Sequence, residues 1–175
     1  MRYICLLRGI NVGGNTMISM AELKKSFAAL GFENVVSYIN SGNLGFDARK
    51  SDEKKLVAKL EKAIEQDLGK KVSVMVREQG AINDVLANNP YEGEFESHKE
   101  MHVLFLAAEL AADAKQMLAN AVPSGERFSV VGREIYCHLP MGVADSYLGR
   151  GQFEKMVKVS VTARNWRTVQ KLAEL

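Results

Sequence analysis

The chain has few of the residues from which common catalytic and metal centres are built. It carries two cysteines and three histidines in 175 residues. Cys5 and Cys137 sit inside apolar strand patterns, with no partner at the spacing of a metal-ligand or redox pair, so they read as small buried hydrophobes. His98, His102 and His138 are scattered and form no HExxH or similar cluster, so no metal site is expected. No nucleophile–base pair or carboxylate dyad is visible, which leaves catalytic residues and cofactors unassigned. Apolar runs fall short of the roughly 20 residues that span a bilayer, and the N-terminus opens into a strand rather than a charged region followed by a long apolar segment. The expectation is a cytoplasmic protein without membrane partners. A net charge of +2 is too small to mark a nucleic-acid binder by itself. The charge is uneven, however: residues 150–175 hold six Lys or Arg against two Glu, which reads first as a solvated helix face.

What is present is an ordinary globular composition, with 47% apolar and 25% charged residues. Residues 3–8 read as a buried strand, and Ser19 with Glu22 forms a capping box for a helix carrying Leu23, Phe27 and Leu30. Residues 35–40 and 44–46 form two strands around Ser41-Gly42-Asn43, a hairpin signal. A second helix opens at Ser51 with Asp52 and Glu53 in its first turn, favourable against the helix dipole, and carries Leu56, Leu60, Ile64 and Leu68 on one face. Residues 72–76 return as a strand. This order, βαββαβ over residues 1–77, is that of a ferredoxin-like split βαβ unit. Residues 78–100 connect, with a short helix near 82–87. Residues 101–175 then repeat βαββ and end in a helix from Ala163, with 140–161 unclear. The fold class expected is α+β: two ferredoxin-like subdomains, the second incomplete for want of its last strand.

Strand one offers Ile4 and Leu6 on one side and Tyr3, Cys5 and Leu7 on the other, so both faces of its sheet need cover. Against Tyr3, Cys5 and Leu7 the second half of the chain is the first candidate and a homodimer the second.

Two polar segments are not what a packed core would ask for. In the first, Arg8-Gly9-Ile10-Asn11-Val12-Gly13-Gly14-Asn15, glycines allow positive φ and close backbone approach to a ligand, while Asn11, Asn15 and Thr16 supply adaptable polar groups. It fits neither the Walker pattern nor GxGxxG. The plain alternative is a tight connection whose asparagines satisfy turn backbone. The topology puts this loop beside the Asn40–Asn43 hairpin and the Gly69-Lys70-Lys71 turn, at one end of the sheet. In the second segment, Thr162 reads as an N-cap, and Arg164 places a cation in the first turn of the last helix, where the dipole disfavours it unless an anion or carboxylate sits there too. Trp166 begins an apolar stripe with Val169 and Leu172 and reads as core.

These residues carry a resemblance. Leu6-Leu7-Arg8-Gly9-Ile10-Asn11-Val12-Gly13-Gly14, Tyr38-Ile39-Asn40-Ser41-Gly42-Asn43 and Thr162-Ala163-Arg164-Asn165-Trp166-Arg167-Thr168-Val169 together resemble the bacterial family called domain of unknown function 1697, over essentially the whole chain. Asn40 departs from the glutamine common there. The resemblance implies two α+β subdomains and no assigned activity.

Three readings of function follow. The first is a site for a small anionic ligand (nucleotide, sugar phosphate or carboxylate) at the junction of the two subdomains, built from Arg8, Asn11, Gly13, Gly14, Asn15, Asn40, Ser41, Asn43, Thr162, Arg164 and Asn165. Arginine would pair with phosphate or carboxylate bidentately, and asparagines and backbone donors would orient it. The second is a protein-interaction or scaffold module. The third, an RNA-binding module of the same element order, is opposed by the residues: strand one has no aromatic platform beyond Tyr3, and Leu44-Gly45-Phe46 gives one aromatic where the third-strand motif carries more.

Overall fold

The fold is that of a computed structural model, which describes residues 1–14, 16–151 and 153–175. Its elements run β1 (Arg2–Leu7), α1 (Met20–Ala29), β2 (Glu33–Tyr38), β3 (Asn43–Asp47), α2 (Glu53–Leu68), β4 (Val74–Glu78), α3 (Gln79–Ala87), then β5 (Met101–Leu106), α4 (Ala112–Ala121), β6 (Arg127–Val131), β7 (Glu134–His138), α5 (Phe153–Val157), β8 (Val161–Asn165) and α6 (Trp166–Leu172). The chain divides into two compact units, Met1–Asp84 with Lys171–Leu175, and Val85–Gln170. It is an α+β protein with two four-stranded antiparallel sheets, each accompanied by helices: β2-β3-β1-β4 in the first unit and β6-β7-β5-β8 in the second. Among the described residues no helix is long and apolar enough to cross a membrane.

Local chemistry sets the helices of the first unit. The Ser19 side chain accepts from Glu22 N (3.4 Å) to start α1, and Asp52 accepts from Lys55 N (3.1 Å) to start α2, each satisfying an orphan donor of the first turn. Gly69 ends α2 in the left-handed conformation at φ +64, where a side chain would be strained. Leu23 and Phe27 of α1 and Leu56, Leu60 and Ile64 of α2 bury one face each. They pack against Tyr3, Cys5 and Leu7 of β1, together with Leu44, Phe46, Val74 and Val76. Each such side chain contributes about 1.5–3 kcal/mol on burial. Phe32 stacks on Phe46 at 4.5 Å between centroids, and Phe27 meets Phe46 edge-on at 5.6 Å.

The helices of its own unit therefore cover Tyr3, Cys5 and Leu7, which corrects the expectation that a second half or a partner chain shields that face. The physical reason is that a one-strand alternation says both faces are buried but not which one the helices take. Ile4, Leu6 and Met75 on the opposite face are buried as well. Leu175, in the C-terminal piece of the same unit, reaches this face: Arg2 donates to its main-chain oxygen through Nε (2.7 Å) and Nη2. A Cβ on Gly45 would lie 3.0 Å from the Leu175 Cβ.

The second unit corrects the sequence reading further. Residues 161–165 are not the start of a helix but strand β8, paired antiparallel to β5 from His102↔Asn165 to Leu106↔Val161. The second sheet is thus complete, with four strands and the same order as the first. Val161, Thr162 and Arg164 are buried, whereas Ala163 between them is exposed. With polar Thr162 and Arg164 enclosed and apolar Ala163 exposed, the segment lacks the apolar-in, polar-out alternation that announces a strand, and Thr162 mimics an N-cap. The registers of the two units match pair for pair, with Ile4↔Arg77 corresponding to Val103↔Arg164.

His102 lies beside Cys137 on the sheet face that carries the second unit's core, and its Nδ1 makes no hydrogen bond among the described residues. Burial, with a smaller contribution from His98, pushes its pKa down to about 4. The unfolded chain takes up this proton near 6.5 and the folded chain only near 4, so stability is complete above the unfolded value and is lost as pH falls through the window between them. Denaturant titrations should show His102 costing up to about 3 kcal/mol between pH 7 and pH 4. His102→Phe should flatten that part of the pH dependence; an unchanged slope would mean His102 is solvated when charged.

Candidate functional site

The loop after β1 is held from three sides. Leu7 N donates to Gly42 O (2.8 Å) and Arg8 N to Ser73 O (2.9 Å), so the strand exits between the hairpin and the approach to β4. The loop, the Ser41–Asn43 hairpin and the turn after α2 therefore share one end of the sheet. Ile10 and Ile18 anchor the loop in the core.

Asn11 closes it. Its Nδ2 donates to Ile18 O (2.9 Å) and Asn40 O (2.7 Å), and its Oδ1 accepts from Ile18 N (2.8 Å). The residue sits at φ +55, a left-handed conformation that asparagine tolerates better than most residues. The Asn11 side chain thus serves loop backbone. Asn43 does the same in the hairpin: it is fully buried, and its Nδ2 donates to Tyr38 O (3.1 Å) and Ser41 Oγ (3.0 Å). Gly42, at φ +80, is required there, since a Cβ would fall 2.6 Å from the Leu7 Cβ.

Other residues of this end face outward. Arg8, Gly13, Gly14 and Asn40 are exposed, and Ser41 is half-buried. Gly13 and Gly14 stand at φ +60 and +76 with open space where a Cβ would be. Lys70 and Lys71 are exposed in the segment that enters β4 at this end, Lys71 lying 3.5 Å from Glu65. Asn15 lies outside the described residues.

Thr162, Arg164 and Asn165 belong to the second unit. Arg164 is buried in β8, where its Nη1 donates to Thr162 Oγ1 (2.7 Å) and Ala163 O (2.8 Å). Arg164 is therefore not a cation in a first helical turn. Asn165, not Thr162, caps the last helix, its Oδ1 accepting from Thr168 N (2.9 Å). Arg77, at the matching position of β4, is also buried and donates through Nη1 to Val76 O (2.9 Å).

One polar cluster was not legible in the sequence. In the second unit the Arg127 guanidinium forms an ion pair with Glu94, donates to His138 Nδ1 (2.9 Å) and lies 4.6 Å over the Tyr91 ring. Tyr91 Oη and Ser129 Oγ share a hydrogen bond of 2.6 Å. Because guanidinium can only donate, Nδ1 is the acceptor. The contributing positions span residues 91–138 with no common motif, so only the β6–β7 pairing Arg127↔His138 brings them together. Among the described residues no group of His, Cys, Asp or Glu is placed to hold a metal.

The fold and these segments define a two-unit α+β protein with a clasped glycine-rich loop after its first strand. The chain belongs to the family described as a protein of unknown function (DUF1697), whose model matches residues 1–136. The match takes in the loop and the hairpin and stops short of Thr162–Asn165. In structure the chain is similar to the conserved bacterial protein SP0830 from Streptococcus pneumoniae, with a TM-score of 0.80 and 26% identity over 99% of this chain and 97% of that one. No curated protein matches.

Asn11→Ala should leave the Ile18 N–H and two carbonyls without their partner and destabilise the first unit by about 1–3 kcal/mol. Gly42→Ala should cost about 2–4 kcal/mol, since it adds left-handed strain to steric overlap. Denaturant melts check both. A loss below half a kcal/mol for Asn11→Ala, an order-of-magnitude bound, would show that water replaces the clasp without penalty.

Proposed function

We propose that the protein binds a small anionic ligand at the loop end of the first unit's sheet. The observation that carries this reading is a comparison inside the chain. Both units connect their first strand to their first helix, yet the first unit uses residues 8–19 and the second only residues 107–111. The shorter connection falls in the common range of about 4–6 residues, so the fold itself does not call for the longer one. A loop in excess of structural need, set on a rigid sheet, is where binding residues concentrate.

The chemistry of that end favours an anion. Arg8, Lys70 and Lys71 bring positive charge to it, and the left-handed backbone at Gly13 and Gly14 allows main-chain N–H groups to approach a ligand closely. Asn40 and Ser41 offer polar groups beside them. Asn11 and Asn43 act as supports that hold this surface in shape, and Arg164 is not needed. Each unit's strand order, with two helices between strands, supports a ferredoxin-like assignment for both.

A specific observation favours a second reading, a protein-interaction surface: Val12, Met17 and Ile39 are 62%, 64% and 52% exposed at this same end. Ligand titration separates the two. Inorganic phosphate should raise the melting temperature of the parent chain, with a gain equivalent to about 2.7 kcal/mol at 100 times the dissociation constant. Arg8→Ala should abolish the gain while leaving the ligand-free melting temperature within a degree or two. An Arg8→Ala chain stabilised as well as the parent would sink the anion reading.

A further inference from the structure

We propose that the first unit also holds a separate pocket for a small aromatic anion, a ring bearing a phosphate or carboxylate, at the end of the sheet opposite the loop. β3 pairs Asn43 with Leu6 at the loop end and Asp47 with Arg2 at the other. Residues 48–52, leaving β3, therefore meet the start of α2 and the turn after α1 far from Arg8. A cavity of about 310 Å³ opens there, at the small end of the range for ligand sites.

Its lining divides by chemistry. Leu30, Phe32 and Leu56 give it an apolar floor, and Arg49, Lys55 and Lys59 give it three cations, with no carboxylate among the lining residues. Two carboxylates start α2, Asp52, which accepts from Lys55 N, and Glu53, and neither lines the cavity. An anion seated among these three cations, over a partly apolar hollow, would be attracted by all of them. The first turn of α2, a 16-residue helix, adds the positive end of its dipole.

One cation, the floor and one wall of the pocket are fixed in advance of any ligand. Lys59 Nζ donates to Leu30 O (3.0 Å) and lies 5.0 Å over the Phe32 ring, whose own position is set by stacking on Phe46. An ammonium has three donors, so this anchoring uses one of them. Tyr3 Oη accepts from Ser51 N (3.0 Å) and donates to Ser51 O (3.3 Å), pinning the wall that follows β3. Lys59 and this wall then lose little entropy on binding, while Arg49 and Lys55 are exposed side chains that a ligand would have to order. An apolar floor under a cationic rim suits a ring with an acid group; a bare inorganic anion would leave the floor uncovered, and a neutral ring would leave the cations unmatched.

The test uses the full chain and three probes in calorimetric titration: phenyl phosphate, inorganic phosphate and phenol. Phenyl phosphate should bind at least about tenfold more tightly than either fragment. Arg49→Gln with Lys55→Gln, both exposed positions whose loss leaves the core intact, should weaken it by about tenfold or more with an unchanged circular dichroism spectrum. Running the series in an Arg8→Ala background separates this pocket from the loop end, and binding should persist there. Equal affinity for phenyl phosphate and inorganic phosphate, parent-like binding by the double variant, or loss of binding with Arg8→Ala alone would each overturn the proposal, as would the lack of saturable binding.

Discussion

A central first strand buried on both faces is the constraint from which most of this structure follows. β1 lies between β3 and β4, and Tyr3 to Leu7 are all fully enclosed. β5 holds the same place between β7 and β8, with Val103 to Leu106 equally enclosed. A strand in that position cannot spend side chains on solvent, so polarity is displaced to its ends. One end of β1 carries Arg2, held by Asp47, Asn34 O and Leu175 O; the other carries Arg8 and the loop. The Asp47 carboxyl is drawn below its usual range mainly by the Asn34 side chain, with Arg2 adding to it.

The clasped loop shows how structure and surface chemistry share one stretch of sequence. Asn11 and Asn43 look like ligand-binding residues because their side chains are amides in a glycine-rich context. In place, they hydrogen-bond the backbone that their own turns leave unpaired, and so they fix the outward-facing residues around them. Polar residues in a loop thus divide into those that hold it and those it presents, and only coordinates tell which is which.

Much of the fold was legible because its signals are local. Ser19 capped the helix expected of it, α2 started a residue later than expected with Asp52 rather than Ser51 at its cap, Gly69 ended α2, and the Ser41-Gly42-Asn43 turn joined β2 to β3. From these followed the neighbourhood of loop and hairpin. β8 was misread because its pattern is set by tertiary burial: Thr162 and Arg164 are polar and enclosed, so the segment shows neither an apolar run nor alternation. The Arg127 cluster and the Arg49–Lys59 pocket were hidden for another reason. Their residues meet only after strand pairing or helix docking, and each one alone resembles an ordinary surface cation.

The duplication offers a way to separate what the fold needs from what it does not. Features that occur at matching registers in both units belong to the architecture: the central strand, the sheet order, and a buried arginine on the last strand that donates to the carbonyl before it, Arg77 to Val76 and Arg164 to Ala163. A charge repeated at one structural position in two unlike sequences is most simply a packing device, because a ligand site has no reason to be built twice at the same depth in a sheet. By the same logic the features that break the repeat carry the information about function. The second unit makes the β5–α4 connection with Ala107-Ala108-Glu109-Leu110-Ala111, whereas the first spends residues 8–19, four loop positions at positive φ among its described residues before Thr16, and the Asn11 clasp on the equivalent step. Three of those four positions are glycines, which take left-handed backbone without steric strain, so the first unit's longer connection is built from residues suited to it and differs from the second unit's by choice of sequence rather than by demand of the fold.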